Sequence, residues 1–149
     1  MNWKPHVTVA AVIEQEARFL LVQERDEGRL VYNQPAGHLE PNETLLQAVV
    51  RETHEETGWL FTPEALLGVY QWSHPSGEHG FVRFCFYGTA RPDPTQPALD
   101  PDILGTVWWD QDQLQQHSSA LRSPLVARAV EDYLAGHLYP LQVLQFIDF

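Results

Sequence analysis

Residues 37–59 read GHLEPNETLLQAVVRETHEETGW and constrain this chain more than any other stretch. After Asn42, the apolar residues Leu45, Leu46, Ala48, Val49 and Val50 are interspersed with polar ones, and no Gly or Pro intervenes before Gly58. That pattern predicts a helix stopped by Gly58. At about 100° per residue, Glu52, Glu55 and Glu56 stand at i, i+3 and i+4 and fall within roughly one 100° sector. Leu46, Val49, Val50, Thr53 and Thr57 fill the neighbouring sector. One stripe is therefore expected to pack on a core while the adjacent one presents three carboxylates at a rim.

Like charges at this spacing repel, each surface pair by a few tenths of a kcal/mol, so a positive partner is expected. Hard oxygen ligands select Mg²⁺ or Mn²⁺ over zinc, and Mg²⁺ is usually held by a few carboxylates, waters and substrate phosphate oxygens. A solvated acidic helix face is the simplest use of such a run. It does not, however, require Gly37 just upstream, Glu43 near the helix start, or Arg51 inside the acidic turn.

The segment resembles the Nudix box, in which Gly, five residues, Glu, seven residues, Arg-Glu, an aliphatic residue, any residue, Glu-Glu, any residue, Gly and an aliphatic residue follow in order. Gly37, Glu43, Arg51, Glu52, Glu55, Glu56 and Gly58 match in register, while Thr53 and Trp59 replace the aliphatic positions. The resemblance implies that Glu52, Glu55 and Glu56 bind a divalent metal, Mg²⁺ or Mn²⁺, together with the Gly37 carbonyl. It also implies that Glu43 and Arg51 form a structural ion pair between loop and helix. KPHVTVA, NQPAGHLE, PTQP, LRSPLV and YPL, spread over nearly the whole chain, resemble a bacterial phosphatase subgroup of the same family. That likeness implies release of orthophosphate from hydroxymethylpyrimidine diphosphate, thiamine diphosphate and nucleoside di- or triphosphates. Two alternatives stay open: a pyrophosphohydrolase of nucleotides or nucleotide sugars releasing a monophosphate, and a Nudix-fold binding module without turnover.

A chain of 149 residues suits one domain with a sizeable core, here residues 1–149 with the box at 37–59. The net charge of −11 and the lack of a basic run argue against a nucleic-acid partner. Cys85 is the only cysteine, which excludes an internal disulfide and favours a reducing compartment. The start MNWKPHVTVA has neither a secretory pattern nor a membrane span. The expectation is a cytoplasmic enzyme acting on a small phosphoanhydride, away from membranes, as a monomer or small homo-oligomer.

Along the chain, residues 6–13 and 18–24 are β-rich runs around a polar turn at 14–16, suggesting a hairpin. Residues 66–72 and 81–89 are further strands, separated by the turn-rich HPSGEHG. Residues 90–101, ARPDPTQPALDP, read as a loop, and 106–109 as a short strand. Asp110 is a candidate cap for a helix reaching Gln116. Ser123, Pro124 and Gly136 bracket a final helix, with Leu125, Val126, Ala129, Val130 and Tyr133 as its apolar stripe. Strands interleaved with helices suggest α/β architecture with a mixed sheet between helical layers, and the resemblance implies the Nudix α/β/α sandwich.

Beyond the box, Asp102, just before the Trp108–Trp109 pair, matches the acid that often precedes such a strand in the family and is a candidate base, with Asp100 as runner-up; either is also an ordinary turn residue. Trp72 is a candidate platform for a heterocycle or a core residue. Arg83, among aromatic strand residues, either meets a substrate phosphate or faces solvent, and Arg122 is equally ambiguous. His6, His38, His54 and His74 lack metal-ligand spacing; His38, next to Gly37, is retained as a substrate-binding candidate.

Overall fold

The computed structural model describes residues 3–98 and 100–148. Leu99, inside the expected 90–101 loop, and the first two residues of the amino-terminal stretch lie outside the described residues. The elements run β1 (His6–Gln15), β2 (Arg18–Asp26), β3 (Arg29–Asn33), β4 (Ala36–His38), α1 (Leu45–Thr57), β5 (Trp59–Ser73), β6 (Gly80–Pro92), β7 (Ile103–Trp109), α2 (Gln111–Gln116) and α3 (Pro124–Leu134).

The strands form a mixed sheet of order β3-β2-β1-β6-β5, with β4 added to β1 and β7 to β2. β1 and β6 are parallel over eight registered pairs, from His6↔Phe81 to Ile13↔Gly88. β1 and β2 pair only at their hairpin ends, Glu14↔Phe19 and Gln15↔Arg18. They splay apart beyond that point, which leaves each free to take a second neighbour.

Side-chain alternation along β1 sends Val9, Ala11 and Ile13 to a core shared with Ala48, Val49, Phe61 and Phe86. Ala10 and Val12 go to an opposite core with Phe19, Leu21, Val126, Ala129 and Val130. Both faces of the sheet are thus covered, one by α1 and the other by α3, giving an α/β/α sandwich. Each fully buried Val, Leu or Phe contributes roughly 1.5–3 kcal/mol, which is why β1 reads as a continuous apolar run. Cys85 lies in the second core, where burial pushes its thiol up to about 12; it is an inert packing residue.

Several boundaries differ from expectation. The hairpin turn sits at Glu16 and Ala17, which take φ of 52° and 62°, one residue later than the polar cluster suggested. β5 begins at Trp59 directly after α1, and β6 runs to Pro92, so Ala90 to Pro92 belong to a strand and not to the expected loop. β3 and β4 are not among the expected strands: β3, RLVYN, forms a hairpin with β2 through the Glu27–Gly28 turn, and β4 is created by its pairing with β1. α2 and α3 start as their capping residues predict, Asp110 and Ser123 each accepting from a first-turn amide; α1 starts at Leu45 behind a Thr44 cap that accepts from the Gln47 amide. Among the described residues no helix is long and apolar enough to cross a membrane.

Candidate active site

Gly58 ends α1 in the left-handed conformation, φ 76°, and its amide donates to the His54 carbonyl at 2.8 Å. That termination and the Thr44 cap set which way the helix faces. The expected acidic rim forms only in part. Glu55 lies toward the surface and Glu52 is largely covered, while Glu56 is 7 % exposed, because α1 packs against β1, β4 and β5 and its Glu56 edge is covered by the 34–37 segment. There, Glu56 Oε1 accepts from the Ala36 amide at 2.9 Å. Burial pushes the Glu56 carboxyl up to about 8 against that hydrogen bond, and the charges of Glu24, Glu52 and Asp100 add to the rise. Glu52 is likewise raised, chiefly by burial, although Arg51 opposes the shift.

Arg51 is the brace of the region. Its Nε and Nη2 donate to the two oxygens of Glu43 at 3.0 and 2.7 Å, a bidentate fork that a lysine cannot make. Nη1 donates to Glu52 at 2.8 Å and Glu55 at 3.3 Å, and Nη2 also reaches the His38 carbonyl at 3.1 Å. One guanidinium thus ties the loop before α1 to three acids. The hydrogen bond from Arg51 holds the Glu43 carboxyl below its usual range, and the same bond raises Arg51.

Gly37 lies under Glu52. A β-carbon on Gly37 would stand 2.1 Å from the Glu52 carboxyl carbon, so only glycine lets the carboxylate approach this backbone.

The other predicted residues divide. Trp72 is half-buried, stacked on Phe81 with ring centroids 5.7 Å apart, and with Arg122 it lines a cleft of about 610 Å³ beside α3. Arg122 pairs with Glu24. Arg83 does not face solvent: it is 5 % exposed, and its Nη2 donates to Asn33 Oδ1 at 3.0 Å. The His38 ring lies 3.2 Å from His6. Asp102 is on an exposed turn where its amide donates to Asp100 Oδ1 at 2.9 Å, while Asp100, anchored by its own amide to the Glu55 carbonyl at 2.9 Å, is the acid near enough to raise Glu52 and Glu56.

A NUDIX-domain family model matches residues 4–129. The chain belongs to the Nudix hydrolase family. It is 43% identical over 143 residues to the phosphatase NudJ of Escherichia coli K12, covering 95% of this chain and 92% of that protein, and equally to that of Shigella flexneri. A solved Nudix hydrolase from Nitrosomonas europaea superposes with a TM-score of 0.92 at 46% identity, covering 97% of this chain and 98% of that one. The chain is a Nudix phosphohydrolase similar to the NudJ phosphatases.

Nudix hydrolases generally use a divalent metal such as Mg²⁺ or Mn²⁺, and the residues present suit such an ion. The donors are hard oxygens, Glu56 is a buried carboxylate with no cation on it, and the Gly37 backbone is open to Glu52. Among the described residues no three His, Cys, Asp or Glu side chains converge as a ready cage. The sequence reading missed Glu24 in this Nudix site. It is 9 % exposed on β2, and its partner Arg122 is 98 residues away, so only its position at the end of an apolar run marks it.

Proposed function

We propose that this chain is a divalent-metal-dependent phosphohydrolase that removes the terminal phosphate from small diphosphates and triphosphates. Hydroxymethylpyrimidine diphosphate, thiamine diphosphate and nucleoside di- and triphosphates form its substrate class. The observation that carries the reading is Glu56: a carboxylate buried beside Glu52, Glu24 and Asp100 with only an amide for a partner. A buried carboxyl that can ionise only at a cost calls for a cation to take the place of its proton. The similarity to NudJ phosphatases supports the choice of the terminal phosphate.

Glu52 and Glu56 are the principal ligands in this reading, with the Gly37 carbonyl beside them and Glu55 as a further ligand or an outer partner. When bound, a divalent ion neutralises phosphate oxygens and acidifies water. Arg51 and Glu43 keep Glu52 in position without touching substrate. Asp100 is favoured over Asp102 as the carboxylate that accepts the proton of the attacking water, because its charge is felt at Glu52 and Glu56. Water then adds to the terminal phosphorus, the bridging P–O bond breaks, and orthophosphate leaves. Trp72, Arg83, Arg122 and His38 are the candidate contacts to the remainder of the substrate.

The test is hydrolysis of GTP in ¹⁸O-labelled water across a Mg²⁺ titration, with orthophosphate and pyrophosphate assayed separately. GDP with label in orthophosphate is the expected result. GMP and pyrophosphate would instead establish the pyrophosphohydrolase. Absence of turnover with every diphosphate and triphosphate tried would leave a binding module.

A further inference from the structure

The segment after β6 wraps the C-terminal end of α1. The last carbonyls of a helix have no partner inside it, and here the Asp100 amide donates to the Glu55 carbonyl at 2.9 Å. Just beyond the helix, the Asp93 amide donates to the Gly58 carbonyl at 3.0 Å. Between these two anchors the chain lies against Gly58, where a β-carbon would stand 3.0 Å from the Ala98 nitrogen and 3.4 Å from the Pro97 carbonyl carbon.

One side chain of α1 fastens this wrap. His54 Nε2 lies 3.0 Å from Asp93 Oδ2, while Asp93 Oδ1 accepts from the Thr95 amide at 2.9 Å and from the Thr95 hydroxyl at 2.7 Å. An ionised carboxylate only accepts, so the His54 ring nitrogen is the donor. The two side chains are 16 % and 12 % exposed, and water competes little for the bond. Among the described residues no other side-chain hydrogen bond or ion pair ties α1 to residues 93–102.

His54 takes no part in the acid stripe. Two residues from Glu52 and two from Glu56, it stands about 160° around the helix from each, and it cannot reach an ion or a phosphate held between them. The wrap starts on that far side, with Asp93 on His54. It returns to the acid side at Asp100, whose charge is felt at Glu52 and Glu56 and whose Oδ1 is oriented by the Asp102 amide at 2.9 Å. Pro94 and Pro97 each fix one backbone angle. Few free rotations therefore separate the His54 contact from Asp100, and a shift at Asp93 is passed along the segment.

We infer that His54 is a positioning residue for hydrolysis: its clip on Asp93 holds the wrap against α1 and thereby sets where the Asp100 carboxylate stands. The inference rests on the reading of Asp100 as the group that accepts the proton of the attacking water.

Two measurements on the full chain test it. In the metal-free protein, amide hydrogen exchange followed by nuclear magnetic resonance reports on the Asp100 amide itself. His54→Ala should speed that exchange about tenfold through local opening, while the Ala48 amide, bonded to the Thr44 carbonyl at the other end of α1, keeps its wild-type rate. His54→Gln places an amide nitrogen close to where Nε2 stood and should restore the protection of Asp100. The second measurement is steady-state release of orthophosphate from GTP with Mg²⁺. His54→Ala should lower kcat about tenfold, as a displacement well under 1 Å would, with KM within about twofold of wild type, and His54→Gln should recover most of the loss. Asp100→Asn should lower kcat about 100-fold, as loss of a general base does. The double variant should be no slower than Asp100→Asn alone, because two changes acting through one group do not add.

Unchanged exchange at Asp100 in His54→Ala, or losses that add in the double variant, overturns the inference and leaves the hydrolase reading standing. A lower melting temperature with wild-type kcat in His54→Ala also overturns it, since that is what a clip with a stabilising role alone would give. Wild-type kcat in Asp100→Asn removes the base assignment and the positioning role together while turnover persists. Absence of turnover in the wild type is the separate result that overturns the hydrolase reading, and this inference with it.

Discussion

The Glu52 carboxylate sits over the α-carbon of Gly37, so close that a β-carbon there would be 2.1 Å from Glu52 Cδ. Gly37 is not among the residues with positive φ; its requirement is space and not an unusual backbone. Gly37→Ala should therefore push Glu52 aside while leaving β4 able to form. A displacement of about 1 Å near the reacting groups costs about 100-fold, and kcat at saturating metal and substrate should fall by at least that factor. An alanine variant with wild-type kcat would show that this contact has no part in the chemistry.

Arg51→Ala removes hydrogen bonds to Glu43, Glu52 and Glu55 and leaves three acids without their cation. Charge-assisted hydrogen bonds contribute about 1.5–3 kcal/mol each, but Arg51 is partly solvated, so a total loss of about 2 kcal/mol is expected. Urea denaturation of the metal-free protein measures it. Arg51→Lys should recover only part, because an ammonium cannot span both Glu43 oxygens.

The pH dependence of that brace follows from Glu43, whose carboxyl is lowered from 4.5 mainly by the Arg51 hydrogen bond. The folded state binds this proton more weakly than the unfolded chain does, so unfolding in acid takes up a proton and stability rises with pH. The contribution is fully present above the ordinary value of 4.5 and is lost as pH falls through the lower folded value. In melts from neutral to acid pH, Glu43→Gln should be less stable than wild type at neutral pH, and the gap should close below 4.5. A gap that stays constant into strong acid would remove this role from Glu43.

Glu56→Gln keeps a side-chain oxygen for the Ala36 amide and replaces a buried carboxyl with a neutral group of the same shape, so the metal-free variant should melt no lower than wild type. Turnover should fall by more than about 100-fold, the upper end for loss of a mere outer-shell partner of a metal. Because the wild-type carboxyl is pushed up to about 8, it carries a proton at neutral pH, and uptake of Mg²⁺ should release that proton. Calorimetry in buffers of different ionisation enthalpy reads the release, and Glu56→Gln should abolish it.

What the sequence determined by itself is local or periodic. The capping residues Asp110 and Ser123 place two helix starts because each closes a hydrogen bond within three residues. The Glu52, Glu55 and Glu56 stripe follows from helical spacing, and the Glu43–Arg51 contact spans only eight residues. Tertiary structure alone decided the rest. Burial of Glu56 depends on β4 lying across α1, β4 exists through pairing with the distant β1, and Asp100 rather than Asp102 is near the acids. The Glu24–Arg122 pair joins residues 98 positions apart. The cleft brings Trp72 to Arg122 across the sheet. Desolvation and long-range pairing act on distances in space, and a linear pattern records only distances along the chain.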